Sequence, residues 1–245
     1  MNSVKYQKRF YRDACKPADL CQIRVVVKET DVQIMTERPV DKGLCERKLE
    51  DLHRQIHSYI SRDPRFLTAL RPLPVERSAA PIIKQMSIAA RRAGVGPMAA
   101  VAGAVAQSLG RELLRRNYRE VIIENGGDIF LKTTRPRLIG IYAGSSGVFN
   151  RLFLKPSPTD TPLGICTSSG TVGHSLSFGS ADAAVVISND AALADAVATA
   201  TANLVRSRQD LEKAVAFARS VKGVSGAVVI IKKQLVSWGN ITFAA

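Results

Sequence analysis

Residues 183–205 read AAVVISNDAALADAVATATANLV, and the change of pattern inside this stretch decides the fold class. Ala183 to Ser188 is a short apolar run with β-branched residues, the signature of a strand buried on both faces. Asn189 or Asp190 then supplies a helix N-cap, and a helix from Ala191 to Val205 follows. A second helix is expected over Asp210 to Val221, with strands over Ala227 to Lys232 and Leu235 to Trp238. Strands and helices therefore come in blocks rather than in strict βαβ alternation. That order predicts an α+β protein and not a doubly wound parallel sheet.

The upstream half has the same plan. Gln22 to Thr30 and Val32 to Thr36 read as a hairpin. Leu49, Leu52, Ile56 and Tyr59 share one face of a charged helix, and Pro64, Pro72 and Pro74 punctuate a connector. Ile82, Ile83, Met86, Ala89 and Ala90 make a second helical stripe that stops at Gly94. Met98 to Arg115 is helical by spacing and rich in Ala and Gly, as expected of a helix that another backbone approaches closely. Val121 to Glu124, Ile129 to Lys132, Leu138 to Tyr142 and Arg151 to Leu154 are expected strands. One domain over 1–245 is expected, with two similar halves, about 20–120 and 121–240, as a conceivable duplication.

A chain of 245 residues can bury a full core. No stretch has the length of continuous apolar sequence that a membrane helix needs, and Met1 to Arg12 lacks the apolar segment of a secretory signal. Cys15, Cys21, Cys45 and Cys166 are scattered without a CxxC pair, which argues against a zinc site or a disulfide framework and for a reducing, cytoplasmic setting. The formal charge of +14 favours anionic partners. Its basic residues are dispersed and lack interleaved aromatics, so a phosphorylated small molecule ranks above nucleic acid as the partner. An oligomer is compatible with all of this.

Three constellations carry candidate chemistry. Gly164 to Ser175, GICTSSGTVGHS, reads as a loop dense in donors between apolar strands. Its glycines let backbone N–H groups turn inward as an anion nest, and Thr167, Ser168, Ser169, Gly170 and Thr171 are candidate ligand contacts. His174 is the candidate general base or phosphate ligand; the alternative is a polar turn with a hydrogen-bonded histidine. Asp195 and Thr199, four apart, share one helix face and offer hard oxygen ligands for Mg²⁺, unless Asp195 merely complements the helix dipole. Glu124-Asn125-Gly126-Gly127-Asp128 is a Gly-Gly turn between strands, and the glycines Gly94 and Gly96 precede a helix start where anions tend to sit. Cys166 is either a nucleophile of lowered pKa or a small buried apolar group. His53 and His57 are spaced i, i+4 on a charged helix, a metal-capable geometry, but no third ligand is visible in the sequence and a solvated helix face is the expected reading.

Taken in order, GVGPMAAVAGAVAQ, ENGGDI, the Ser/Gly/Thr loop ending in His174, and LADAVATA resemble the ApbE-like superfamily, and within it the stand-alone bacterial and archaeal branch. The resemblance runs from about the first strand to the C-terminus. It implies a T-fold-like architecture, paired helices on antiparallel sheets, and a site for FAD or FMN with Mg²⁺. The best-known activity it implies is transfer of FMN from FAD to a Thr or Ser of an acceptor protein. Carried over, Asp195 and Thr199 match the helix pair that holds Mg²⁺, His174 the histidine implicated in catalysis, and Gly126, Gly127 and Asp128 the strand-turn residues. A backbone carbonyl between Gly96 and Ala99 would complete the metal site. The chain departs from the family in lacking a Lys-Gly-Tyr-Ala-type helix start and in reading Ser175-Leu176-Ser177-Phe178 where Ile-Asp-Pro is usual. A non-catalytic flavin binder, or an accessory protein in sulfur (homocysteine) metabolism, is the alternative that these departures favour.

Overall fold

The computed structural model describes residues 17–143, 152–170 and 179–244. Its frame is an eight-stranded sheet of β1 (Cys21–Val27), β2 (Thr30–Thr36), β3 (Val121–Asn125), β4 (Asp128–Lys132), β7 (Leu163–Ser168), β8 (Ala183–Ser188), β9 (Val224–Ile231) and β10 (Gln234–Gly239), in that spatial order. Every neighbouring pair is antiparallel. The sheet thus consists of two four-stranded units side by side, each with its helices inserted between its second and third strands. In this arrangement β3 and β4 belong with β1 and β2, so the change of unit falls between Lys132 and Leu163.

Into the first unit are inserted α1 (Lys42–Arg62), the one-turn α2 (Arg65–Thr68), α3 (Pro81–Ala93), a 3₁₀ turn at Pro97–Ala100 and α4 (Val101–Arg115). Into the second are inserted α5 (Ala191–Leu204) and α6 (Leu211–Ser220). All pack on one face of the sheet, because alternation along the strands sends Phe130, Cys166, Val186 and Ala227 to that side. Leu131, Ile165, Val185, Val228 and Ile230 point the other way, where Ile139 and Leu154 close a second core. Those two come from a small antiparallel sheet, β11 (Phe243–Ala244), β6 (Phe153–Leu154) and β5 (Ile139–Gly140). Of the strand expected over Leu138 to Tyr142 only Ile139–Gly140 forms, and of that expected over Arg151 to Leu154, whose Arg151 lies outside the described residues, Phe153–Leu154 is strand.

Helix α5 is buried at every position from Ala191 to Thr201 and on to Ala202. A helix apolar all round has to lie between layers, and α5 is held between the sheet and the pair α3 and α4. Asp190 is its N-cap, accepting from the amides of Ala192 and Leu193 at 2.9 and 3.2 Å. The amide of Ala191 donates to the Gln107 side chain of α4 at 2.7 Å.

One expectation fails inside the Gly/Ser/Thr stretch. Leu163–Ser168 is not loop but the central strand β7, paired with β4 on one side and β8 on the other. Its glycine and hydroxyl residues hide the strand signal, because Gly164 abuts Ala191 of α5, where a larger residue has no room. Among the described residues, no single helix is long and apolar enough to cross a membrane.

Candidate functional site

The Ala/Gly character of α4 and α5 lets the two backbones touch. A Cβ on Gly103 would stand 2.2 Å from the Ala191 carbonyl oxygen and 2.9 Å from the Asp195 Cβ, so only glycine permits the crossing. The approach brings the Asp195 carboxylate onto the first turn of α4. Asp195 Oδ2 accepts from the Gly103 amide at 2.9 Å, with the Ala102 amide as a second donor. Asp195 therefore does not complement the dipole of its own helix; it caps the neighbouring one. This answers the expectation that the glycines before α4 form an open anion site. Gly94 (φ 74) instead terminates α3, and amides at the start of α4 already donate to the carboxyl group of Asp195.

Asp128, the first residue of β4, lies on the helix side of the sheet beside Asp195. Both carboxylates are buried, at 7 % and 9 % exposure. Burial pushes Asp195 up to about 7 even against the two amide bonds that favour its charged form. Asp128 is raised well above the carboxylate range by burial first and by the charge of Asp195 second. The pair thus holds a proton around neutral pH. Asp128 Oδ1 has no hydrogen-bond partner among the described residues.

Cys166 of β7 completes this buried cluster. Its thiol donates to the Ala191 carbonyl at 3.3 Å and is fully buried. Burial pushes the thiol well above its ordinary value, and the charges of Asp128 and Asp195 push it further. Of the two readings open for Cys166, the structure favours the small buried group over the nucleophile of lowered pKa. Cys166 is a small core group on a strand, in an electronegative setting.

The turn at Gly126 (φ 70) and Gly127 (φ 104) needs glycine at both positions, and the Gly127 amide donates to Glu124 Oε1 at 2.9 Å. Asn125 Nδ2 reaches the Ala102 carbonyl at 3.2 Å and ties the turn to the start of α4. The turn also sits against the end of β7, a Gly127 Cβ position being 3.8 Å from the Thr167 carbonyl. Around this sheet end runs a cavity of about 1790 Å³, larger than the roughly 300–1,000 Å³ of common ligand pockets. Gly126, Gly127, Asp128, Thr167, Ser168 and Ser169 line it, as do Asp195 and Thr199. Gly96, Met98 and Ala99 from the 3₁₀ turn lie on the same wall. The Ser168 hydroxyl, 5 % exposed, has no partner among the described residues.

Gly170 does not line this cavity; its amide donates to Ala181 at 2.9 Å and its Cα packs on Gly179. Thr171 and His174 lie outside the described residues. Two wall features escape a linear reading. Glu124, which organises the turn, is visible in sequence only as the residue three before Gly127. Glu29, on the β1–β2 turn, comes beside His53 and His57, supplying the third metal-capable side chain that sequence spacing did not reveal.

A family model described as AbpE bacteria matches residues 12–236. A UPF0280 protein from Methanothermobacter thermautotrophicus is 41 % identical over 227 residues, covering 89 % of this chain and 85 % of the relative. Another, from Methanocella arvoryzae, is 38 % identical over 215 residues, covering 88 % and 87 %. Among solved structures, the flavin transferase ApbE from Vibrio cholerae superimposes with a TM-score of 0.56 at 13 % identity, covering 91 % of this chain and 97 % of that one. The apo form of Pseudomonas stutzeri flavinyl transferase ApbE gives 0.52 at 14 %, covering 91 % and 95 %. At such identities the likeness concerns the fold, which is the α+β architecture described above.

Proposed function

This chain belongs to the AbpE bacteria family, within the ApbE-like superfamily, and on that premise we propose that its cavity binds a flavin nucleotide with Mg²⁺. The observation that carries the reading is the buried oxygen cluster on the cavity wall: Asp128 Oδ1 without a partner, Asp195 beside it, and Thr199 one helical turn on. Two buried carboxylates sharing a proton are a poor arrangement for an empty protein and a good one for a hard divalent cation. The donor set fits Mg²⁺, with Asp195, Asp128 and Thr199 as its ligands. When bound, the cation neutralises charge on the diphosphate.

The protein's own residues do the rest. The Ser168 hydroxyl supplies an unengaged donor for a phosphate oxygen. The Gly126-Gly127 turn leaves the wall free of side chains there, so backbone can meet the ligand. The apolar remainder of the cavity, including Leu67, Leu138 and Ile165, suits the ring system. His174 takes the proton of an incoming Ser or Thr hydroxyl of an acceptor protein, whose oxygen bonds to the FMN phosphorus as the phosphoanhydride bond of FAD breaks and AMP leaves, the reaction proposed for a cytoplasmic setting. The titratable Cys166 has no part in it.

A second reading, binding without turnover, is favoured by Ser175-Leu176-Ser177-Phe178 standing where the superfamily usually has Ile-Asp-Pro. Calorimetric titration with FAD, with and without Mg²⁺, tests the binding. Metal-dependent affinity in the wild type that is lost in Asp195→Asn supports the site, and equal affinity in that variant overturns it. Assay of covalent flavin on added acceptor proteins then separates transfer from binding alone.

A further inference from the structure

The hairpin turn and helix α1 meet at a second cluster of ligating groups that shares no residue with the Asp128–Asp195 cluster. His53 and His57 stand one turn apart on α1, with their rings stacked at 5.7 Å between centroids. The two-residue turn between β1 and β2 brings Glu29 to them, and the ligand atoms of all three residues lie within 4.8 Å of one another. His53 is partly buried; Glu29 and His57 are exposed. All three line the cavity wall.

We propose that Glu29, His53 and His57 form a binding site for a divalent transition-metal ion of the Zn²⁺ class, with open coordination positions on the cavity side. Two imidazoles at i, i+4 on a helix with one carboxylate is a donor set suited to zinc and its neighbours, not to Mg²⁺ or Ca²⁺. Around a tetrahedral ion with bonds of ~2.0–2.1 Å, ligand atoms sit about 3.3 Å apart. The three groups therefore need to close by under about 1.5 Å, a displacement that side-chain rotation of the exposed Glu29 and His57 supplies. His53 is the fixed member: its Nε2 meets the Thr30 hydroxyl at 2.8 Å, and metal-bound imidazoles commonly have one nitrogen so engaged. Three protein ligands leave an ion at least one further position, for water or for an anionic group of whatever enters the cavity. This site is independent of the flavin reading.

The test is titration of the full, tag-free chain with Zn²⁺ by calorimetry and with Co²⁺ by visible absorption, in the wild type and in His57→Ala, Glu29→Gln and Asp195→Asn. One equivalent of Zn²⁺ is expected, together with Co²⁺ bands of a low-coordinate nitrogen–oxygen site. His57→Ala should weaken Zn²⁺ at least about tenfold, Glu29→Gln should weaken it less, and Asp195→Asn should leave it unchanged. Because both positions are exposed, the variants are expected to keep the fold, and circular dichroism checks each one. The proposal is overturned if the wild type binds neither ion, if His57→Ala binds as the wild type does, or if Asp195→Asn abolishes binding.

Discussion

The paired carboxylates Asp128 and Asp195 make their own test available through pH. Their folded-state values lie above the ordinary carboxylate value of 3.8, with Asp195 at about 7. A raised acid is proton-bound in the fold and ionised in the unfolded chain. Its stabilising contribution is whole below about pH 4, declines as pH rises, and is gone above about pH 7, at most about 1.4 kcal/mol per pH unit for each proton. Thermal unfolding of the ligand-free protein should therefore show Asp195→Asn gaining on the wild type from pH 4 to pH 8; a pH-independent difference would refute the assignment. Ser168 offers a second discrimination. Its buried hydroxyl bonds to nothing described, so Ser168→Ala should leave stability unchanged or raise it by up to about 1 kcal/mol while weakening FAD binding. Cys166 should resist alkylation in the native protein and react only on unfolding, because its thiol is fully buried and its pKa is raised.

At the scale of elements, the site depends on how closely α4 and α5 cross. Gly103→Ala places a methyl group 2.2 Å from the Ala191 carbonyl, against backbone that has no rotamer to move. The helices must separate, with a loss of about 2 kcal/mol or more by chemical denaturation. The separation also withdraws the Gly103 amide from Asp195, so Mg²⁺-dependent binding should fall even where the variant remains folded. Binding at wild-type strength in a folded Gly103→Ala protein would show that the capping contact does not position the carboxylate.

Across the whole molecule, an ionic network of buried Arg137 and Glu120 with the exposed Asp19 joins the start of the described chain to the central sheet and to the connection leading into the small sheet. Arg137, 8 % exposed, bonds Glu120 Oε2 at 2.9 Å and Asp19 Oδ1 at 2.6 Å. Burial raises the Glu120 carboxyl, but bonds from Thr134, Thr133 and Arg137 outweigh it and hold the group below its ordinary value. Arg137→Met leaves that carboxylate buried without its cation, and a loss of about 3 kcal/mol is expected in equilibrium denaturation. A loss under about 1 kcal/mol would mean that the threonine bonds alone satisfy Glu120.

The block order of strands and helices, the α5 helix with its Asp190 cap, and the α3 stop at Gly94 were all legible in the linear sequence, because periodicity, capping and left-handed glycine are local physics. The Gly-Gly turn and the Asp195–Thr199 face were legible for the same reason. The strand character of Leu163–Ser168 was not, since its glycine and hydroxyls answer to neighbours on α5 and to the sheet end rather than to their own segment. Nor was the meeting of Asp128 with Asp195, or of Glu29 with the histidines of α1. Charge on a carboxylate depends on what burial places beside it, and only the tertiary structure decides which side chains, distant along the chain, share one dry volume.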